Sequence, residues 1–304
     1  MIPALLSSRG SFEAAARRSL NLLLDIIWRG LRFRLQRRAP TAKETPLAIM
    51  VHSFDGYKRF WGPARYFTER AIPSGVPIYY VTENIPMHDN PSKTILTGKG
   101  GFSTRLMRGL TTISRRHRYV LYLQEDIWLE DPLPEAMLLE LVRTMDVHSL
   151  DCLKLGWASF QPKDYPDIVQ TTELLPRSNE FRWFGAHDYA MSHHCSIFRS
   201  NFFWCTALVA KIFRREHPLA HERLISMLLI RRSKSKNDDE KDVRIAVWNQ
   251  KPKVPYTHAS FEGILTDDGR RLLDLHKVGH LFDENLEGEV FPSATRGGLR
   301  QIQR

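Results

Sequence analysis

Two adjacent carboxylates follow an apolar segment in the middle of the chain. The run 119–123 is typical of a buried strand, and Glu125 and Asp126 come just after it. A carboxylate on the loop that leaves a buried strand is well placed to hold Mn2+ or Mg2+, because these ions bridge carboxylates to substrate phosphates. Such an ion neutralises the charge that develops on a leaving diphosphate. The alternative is a surface acidic pair that caps the next element.

The surrounding segments predict the sheet that positions this pair. Short, continuously apolar runs alternate with helical patterns, which indicates an α/β fold with a mostly parallel sheet flanked by helices. The predicted strands are 47–52, 76–82, 119–123 and 243–248, and the predicted helices are 61–71, 102–116, 133–145 and 197–230, the last split at Pro218.

Ligands of such sheets bind beyond the carboxyl ends of the strands. Polar residues at the end of a predicted strand, or just after it, are therefore the first candidates for a binding site. These candidates are Ser53 and Asp55, Thr82 and Glu83, and Glu125 and Asp126.

A glycine-rich segment precedes the helix predicted at 102–116. Gly98, Gly100 and Gly101 suggest phosphate binding by backbone N–H groups, with Ser103 as the helix N-cap. The full phosphate-loop pattern is absent, since Lys99 stands among the glycines rather than before Ser or Thr. The segment is therefore predicted to be a plain loop.

Positive charge is concentrated at the amino end. The first 40 residues carry a net +6 of the total +10, which leaves +4 for the other 264 residues. A nearly neutral body argues against a nucleic-acid partner. Residues 11–38 mix arginines with leucines, isoleucines and Trp28, which predicts an amphipathic helix lying on an anionic membrane surface. The alternative is a helix packed on the body or a partner-binding arm.

Composition bounds the class of protein. With 304 residues, 42% hydrophobic and 26% charged, the chain is neither collagen-like nor disordered. Three widely spaced cysteines indicate a reducing compartment. Together with the predicted membrane-binding arm, this predicts a cytoplasmic protein peripheral to the inner face of the cell membrane.

The predicted parts are a basic amphipathic arm (1–40), a catalytic domain (41–285) and a C-terminal tail (286–304).

Several motifs occur in one order over roughly residues 46–225. They are Val51-His-Ser-Phe-Asp-Gly-Tyr57 with Trp61, Ile78-Tyr-Tyr-Val-Thr82, Thr97-Gly98, Phe102-Ser103, Arg105-Leu106 and Tyr119-Val-Leu-Tyr-Leu-Gln-Glu-Asp-Ile-Trp-Leu129. This order resembles a family of bacterial GT-A-type glycosyltransferases associated with surface polysaccharides such as lipopolysaccharide or capsule. The resemblance implies a GT-A-like, Rossmann-type fold and a nucleotide-sugar donor.

The resemblance also implies roles for the matched positions. Ser53, Asp55 and Tyr57 would lie near the nucleotide base and ribose, with Asp55 accepting hydrogen bonds and Tyr57 offering a stacking surface. Arg105 would face the diphosphate or the sugar, because its planar charged fork suits phosphate. Asp126 would hold the metal ion. Thr82 and Glu125 complete the donor-binding candidates in this half of the chain.

Later segments supply further candidates by the same resemblance. Ser192 and His194 lie in a polar turn expected near the donor sugar and acceptor, although an uncharged amide is more usual near His194. Glu222 is the predicted general base that takes the proton of the acceptor hydroxyl, and Asp188 is the second candidate. His258 would complete the metal shell.

The remaining histidines are not assigned a functional role. His217 and His221 have i,i+4 spacing and are predicted to be helix-surface residues. A transition-metal site built from His187, Asp188, His193 and His194 is disfavoured, because adjacent histidines seldom point at one ion.

The predicted function is metal-assisted, inverting transfer of a sugar from a nucleotide-diphosphate donor to a cell-envelope glycan or glycolipid. One alternative is a Rossmann-like methyltransferase, which would need a glycine-rich turn after the first strand, whereas the segment 53–56 has one glycine. The other alternative is a non-catalytic membrane-associated binding protein.

Overall fold

The computed structural model describes residues 45–155, 181–183, 191, 193, 195–233, 243–248, 254–261 and 263–283. The predicted arm and tail lie outside these residues. So do Asp188, Ser192 and His194.

A central sheet of eight strands organises the described residues. The strands of this sheet are β1 (Leu47–His52), β2 (Ile78–Thr82), β3 (Thr94–Leu96), β4 (Tyr119–Gln124), β6 (Cys152–Lys154), β7 (Phe181–Trp183), β8 (Ser196–Arg199) and β9 (Ile245–Trp248). Their order across the sheet is β3-β2-β1-β4-β8-β6-β9-β7. Two small antiparallel pairs join β5 (Ile127–Leu129) to β10 (Tyr256–His258), and β11 (Ser260–Phe261) to β12 (Ile264–Leu265).

Four of the seven pairings in the large sheet are parallel. Strands β3, β2, β1 and β4 all run in one direction. Strand β8 is antiparallel to both of its neighbours, β4 and β6, so β6 runs in the same direction as β4. Strand β9 is parallel to β6, and β7 is antiparallel to β9. The predicted α/β fold with a mostly parallel sheet is confirmed.

Helices cover both faces of the sheet. The described helices are α1 (Trp61–Ala71), α2 (Phe102–Ile113), α3 (Glu135–Val147), α4 (Ser200–Ile212), α5 (Pro218–Ser233) and α6 (Asp267–Leu275), with short 3-10 turns at Asp55–Phe60, Pro91–Lys93 and Gly279–Leu281. Apolar residues of α1, α3 and α6 pack on one face, and those of α2, α4 and α5 pack on the other. Because side chains of β1 alternate between these two cores, the whole strand is buried, and its first five residues are apolar.

The predicted N-cap of the 102–116 helix is wrong. Helix α2 begins at Phe102 with Gly101 as its N-cap, and the cap comes from a distant residue. The Glu216 carboxylate accepts from the Thr104 backbone N–H at 3.0 Å and from the Thr104 hydroxyl at 2.7 Å. A Cβ on Gly101 would lie 2.3 Å from Cβ of Glu216, so only glycine permits this approach.

Candidate active site at the strand ends

The sheet has a topological switch point between β1 and β4. The chain adds β2 and β3 on one side of β1 and then returns to place β4 on the other side. Crevices at the carboxyl ends of such neighbouring strands are where open α/β sheets bind ligands. The register pairs His52 with Gln124, so Ser53 and Glu125 leave the sheet at the same edge.

Glu125 is buried at this edge, with 6% of its surface exposed. The Trp61 indole N–H donates to the Ser53 hydroxyl at 2.7 Å, and the Trp128 indole N–H donates to the Glu125 backbone carbonyl at 3.0 Å. Burial raises the pKa of Glu125, and the charge of Asp126 adds to the rise, while a hydrogen bond with Ser53 opposes it. This carboxyl therefore holds a proton more readily than an exposed glutamate does.

Asp126 is half-buried beside the β5–β10 pair. The Ser260 hydroxyl donates to Oδ2 of Asp126 at 2.9 Å, and the Ala259 N–H donates to its backbone carbonyl at 2.7 Å. His258 pairs with Ile127, the residue that follows Asp126. Burial raises the pKa of Asp126, while the nearby His258 and the Ser260 hydrogen bond lower it.

His258, on β10, is the second potential metal ligand beside Asp126. Burial lowers the pKa of its imidazole, and Asp126 partly offsets that effect. A neutral ring is the form that can ligate a metal ion. Within the part of the chain that the structure describes, no group of three or more His, Cys, Asp or Glu side chains is arranged to hold a metal. Two protein donors are compatible with an ion whose other ligands are phosphate oxygens and water.

Arg105 lies on α2 and forms a buried ion pair. Its Nη1 is 2.8 Å from Oε1 of Glu83 and also donates to the Gly100 carbonyl at 2.6 Å. The backbone N–H of Asp55 donates to the other oxygen of Glu83 at 3.2 Å. The guanidinium lies 5.3 Å from the ring centroid of Phe54. These contacts join the segments that follow β1 and β2 to the first turn of α2.

The other donor-binding candidates of this region stabilise the loops that follow β1 and β2 by hydrogen bonds and ring packing. The Asp55 carboxylate accepts from the Asn84 N–H at 3.3 Å, and the Thr82 hydroxyl donates to the Ile85 carbonyl at 2.7 Å. The Tyr57 ring packs 4.6 Å from that of Phe54. Their roles toward a nucleotide stay predictions.

Glu222 reaches the site edge from α5. Its Oε1 accepts the backbone N–H of His193 and lies 3.1 Å from Nδ1 of the same residue. Nε2 of His193 lies 2.7 Å from Nδ1 of His221. His193 is 3% exposed and His221 is fully buried, so the two rings form a buried pair behind the carboxylate.

The prediction that His221 is a surface residue is wrong. Its side of α5 faces the core, where its ring lies 5.9 Å from that of Phe102. Burial lowers the pKa of His221, as does His193, while Glu222 opposes both effects. A spacing of four residues places two side chains on one face of a helix, but it does not say whether that face is covered.

Tyr122 is a buried tyrosine whose pKa is affected by the acids after β4 and by Glu222 on α5. Its hydroxyl lies 3.1 Å from Nδ1 of His52. Burial raises the pKa of Tyr122, and the charges of Glu125, Glu222 and Asp126 all add to the rise. The buried Tyr122 hydroxyl is therefore within electrostatic range of the two acids after β4 and of Glu222 on α5.

Lys154 is a buried lysine, within electrostatic range of Glu222, that the sequence analysis did not single out. It ends β6, is 5% exposed and lies opposite Ser196 of β8. Burial lowers the pKa of Lys154 to about 8, while the neighbouring Cys152 and Glu222 oppose the shift. The available signal was a lysine inside the otherwise apolar run 152–155.

Comparisons with known proteins add little to this geometry. No protein family matches the chain, and no curated protein matches it either. Among solved structures, the chain is similar to the galactosyltransferase LgtC in complex with donor and acceptor sugar analogues. The identity is 10% and the TM-score 0.37, over 84% of this chain and 99% of that one. A likeness of this degree carries no conclusion about activity.

Proposed function

We propose that this protein is a glycosyltransferase that moves a sugar from a nucleotide-diphosphate donor to a glycan or glycolipid acceptor of the cell envelope. The observation that carries the proposal is the acidic pair Glu125 and Asp126 at the switch point of the sheet, with Asp126 beside His258. The motif order that resembles bacterial GT-A-type glycosyltransferases supports the same conclusion.

Asp126 and His258 are the residues that would hold Mn2+ or Mg2+. A carboxylate oxygen and a neutral imidazole are suitable donors, and Ser260 fixes the carboxylate by its hydrogen bond. When bound, such an ion neutralises the negative charge of the leaving diphosphate.

Arg105 supplies a second, permanent positive charge for the donor. Glu83 orients its guanidinium through Nη1, and Nε of Arg105 is buried with no hydrogen-bond acceptor among the described residues. A buried donor of this kind calls for an acceptor that the described residues do not supply. Ser53, Asp55, Tyr57, Thr82, Ser192 and His194 are the remaining proposed donor-binding residues, together with Glu125.

Glu222 is the proposed general base. The acceptor hydroxyl oxygen forms a bond to the anomeric carbon as the bond from that carbon to the diphosphate breaks, and Glu222 takes the hydroxyl proton. His193 holds one oxygen of this carboxylate through its backbone N–H. Attack from the side opposite the leaving group inverts the anomeric centre. Asp188 remains the second candidate for the base.

The arm at residues 11–38 is proposed to keep the enzyme at the cytoplasmic face of an anionic membrane, where a lipid-linked acceptor is presented. No helix in the described part of the chain is long and apolar enough to cross a bilayer. Replacing the arginines of the arm by glutamine in the full chain should reduce sedimentation with anionic vesicles. Unchanged sedimentation would contradict this part of the proposal.

A panel of nucleotide sugars tests the proposed reaction. The full chain is incubated with uridine, guanosine and cytidine diphosphate sugars and Mn2+, and release of the nucleoside diphosphate is measured with and without EDTA. We expect slow hydrolysis of one donor class, lost in EDTA. Hydrolysis of no donor, together with binding of S-adenosylmethionine, would favour the methyltransferase alternative.

A further inference from the structure

The outer side of α5 exposes apolar and basic side chains together. Leu219, Arg223 and Met227 are spaced by four residues and therefore lie along one side of the helix. Leu219 is 53% exposed and Met227 is 41% exposed, and Arg223 is exposed between them. Two apolar side chains and an arginine therefore share the exposed side of α5.

The turn that leads into α5 also exposes apolar and basic side chains together. Ile212 is 50% exposed, and Arg214 and Arg215 follow it on the surface. We call these three residues, together with Leu219, Arg223 and Met227, the α5 surface. The sequence continues beyond it with a charged segment, 231–242, that contains five basic and four acidic residues.

The acids of this segment point away from its surface. Glu216 caps α2 through Thr104, and Glu222 contacts His193. Among the described residues, no acidic side chain forms an ion pair with Arg214, Arg215 or Arg223. The arginines of this segment are therefore exposed without an ion-pair partner among the described residues, while its two acidic side chains are engaged in contacts with Thr104 and His193.

An anionic bilayer accommodates both features of this surface. Guanidinium groups meet lipid phosphates, while the arginine stems and the Leu and Met side chains enter the boundary between headgroups and acyl chains. A nucleic acid would use the arginines but would leave Leu219 and Met227 in water.

We infer that the α5 surface docks on an anionic lipid bilayer, as a membrane contact of the folded body separate from the amino-terminal arm. The inner side of the same helix carries His221 and Glu222, so docking would bring the proposed base close to lipid-borne acceptors. The docking itself is a binding property, so its test does not depend on whether the glycosyltransferase proposal holds.

The test uses the full chain with Arg29, Arg32, Arg34, Arg37 and Arg38 replaced by glutamine, which removes most of the charge of the arm. Flotation with vesicles of phosphatidylglycerol and phosphatidylcholine is compared between this parent and two surface variants. One variant carries Arg214→Gln, Arg215→Gln and Arg223→Gln, and the other carries Leu219→Ser and Met227→Ser.

Matched controls carry the same changes elsewhere. Arg115→Gln, Arg116→Gln and Arg271→Gln remove three exposed charges, and Leu139→Ser with Val147→Ser removes two exposed apolar side chains of α3. Circular dichroism checks that every variant is folded, as expected for exposed positions.

We expect the parent to bind anionic vesicles, with binding that weakens as salt is added. Each surface variant should lower the partition coefficient about tenfold or more, while the controls stay within about twofold of the parent. Three results would overturn the inference: no vesicle binding by the parent, equal binding by surface and control variants, or binding of a single-stranded RNA oligonucleotide in place of vesicles.

Discussion

The Ser260 hydroxyl donates to Oδ2 of Asp126 across 2.9 Å and thereby joins the β11–β12 hairpin to the acid that follows β4. The other side of the hairpin is held by Arg59, which donates to the carbonyl of Gly263. Gly263 has φ of +80°, a conformation that other residues rarely adopt. The orientation of the proposed metal ligand thus depends on a segment 134 positions later in the chain.

Replacing Ser260 by alanine should weaken Mn2+-dependent binding of the nucleoside diphosphate. Loss of a hydrogen bond that orients a metal ligand commonly costs about tenfold or more in affinity. Calorimetric titration of Ser260→Ala against the wild-type chain measures the effect. Ser74→Ala, which changes an exposed serine before β2, serves as the control and should bind like the wild type.

Glu222→Gln should remove the proton acceptor while keeping the shape of the side chain. A positioned general base contributes about 100-fold or more to the rate. We therefore expect kcat to fall by about that factor, with KM for the donor changed less than about threefold. Glu135→Gln, at an exposed position on α3, is the charge-matched control. A Glu222→Gln enzyme with normal kcat would exclude Glu222 as the base.

Arg105→Met should destabilise the fold because it leaves the Glu83 carboxylate buried without its cation. The side chains of Arg105 and Glu83 are 8% and 16% exposed, and breaking such a pair costs about 3 kcal/mol in the free energy of unfolding. Adding Glu83→Gln to the same chain should recover part of this loss. Urea denaturation of the wild type, the two single variants and the double variant measures the coupling, and additive effects would contradict it.

Lys154 should give a specific pH dependence of stability. Its pKa is about 8 in the folded protein against 10.5 for an ordinary lysine, so the unfolded chain binds more protons between these values. The contribution of Lys154 therefore destabilises most below pH 8 and is relieved as the pH rises toward 10.5. Relative to Lys154→Met, the wild type should gain about 2 kcal/mol in unfolding free energy between about pH 7 and 10. A constant difference over this range would show that the lysine has an ordinary pKa.

Local patterns in the sequence predict the elements next to the switch point well. Strand β1 and helix α1 have the predicted bounds, because a continuous apolar run and a helical repeat are local signals. The carboxylates after β4 lie at the carboxyl end of the sheet as expected, because they directly follow the strand in the sequence.

Long-range pairing could not be predicted in the same way. Strands β5 and β10 have three residues each and pair segments about 130 positions apart, and no local period records such a contact. The sequence also could not show that α5 buries His221, because that depends on how the helix packs against its neighbours. Lys154 was missed because β6 is too short to give a recognisable pattern.

The central claim is that Asp126 binds a metal ion that in turn binds the diphosphate of the donor. Isothermal titration of the wild-type chain and of Asp126→Asn with uridine, guanosine or cytidine diphosphate, each with and without Mn2+, tests it most directly. We expect one nucleotide to bind the wild type only with Mn2+, and its affinity to fall at least about tenfold in Asp126→Asn. Equal binding by the two proteins, or no nucleotide binding by the wild type, would contradict the account.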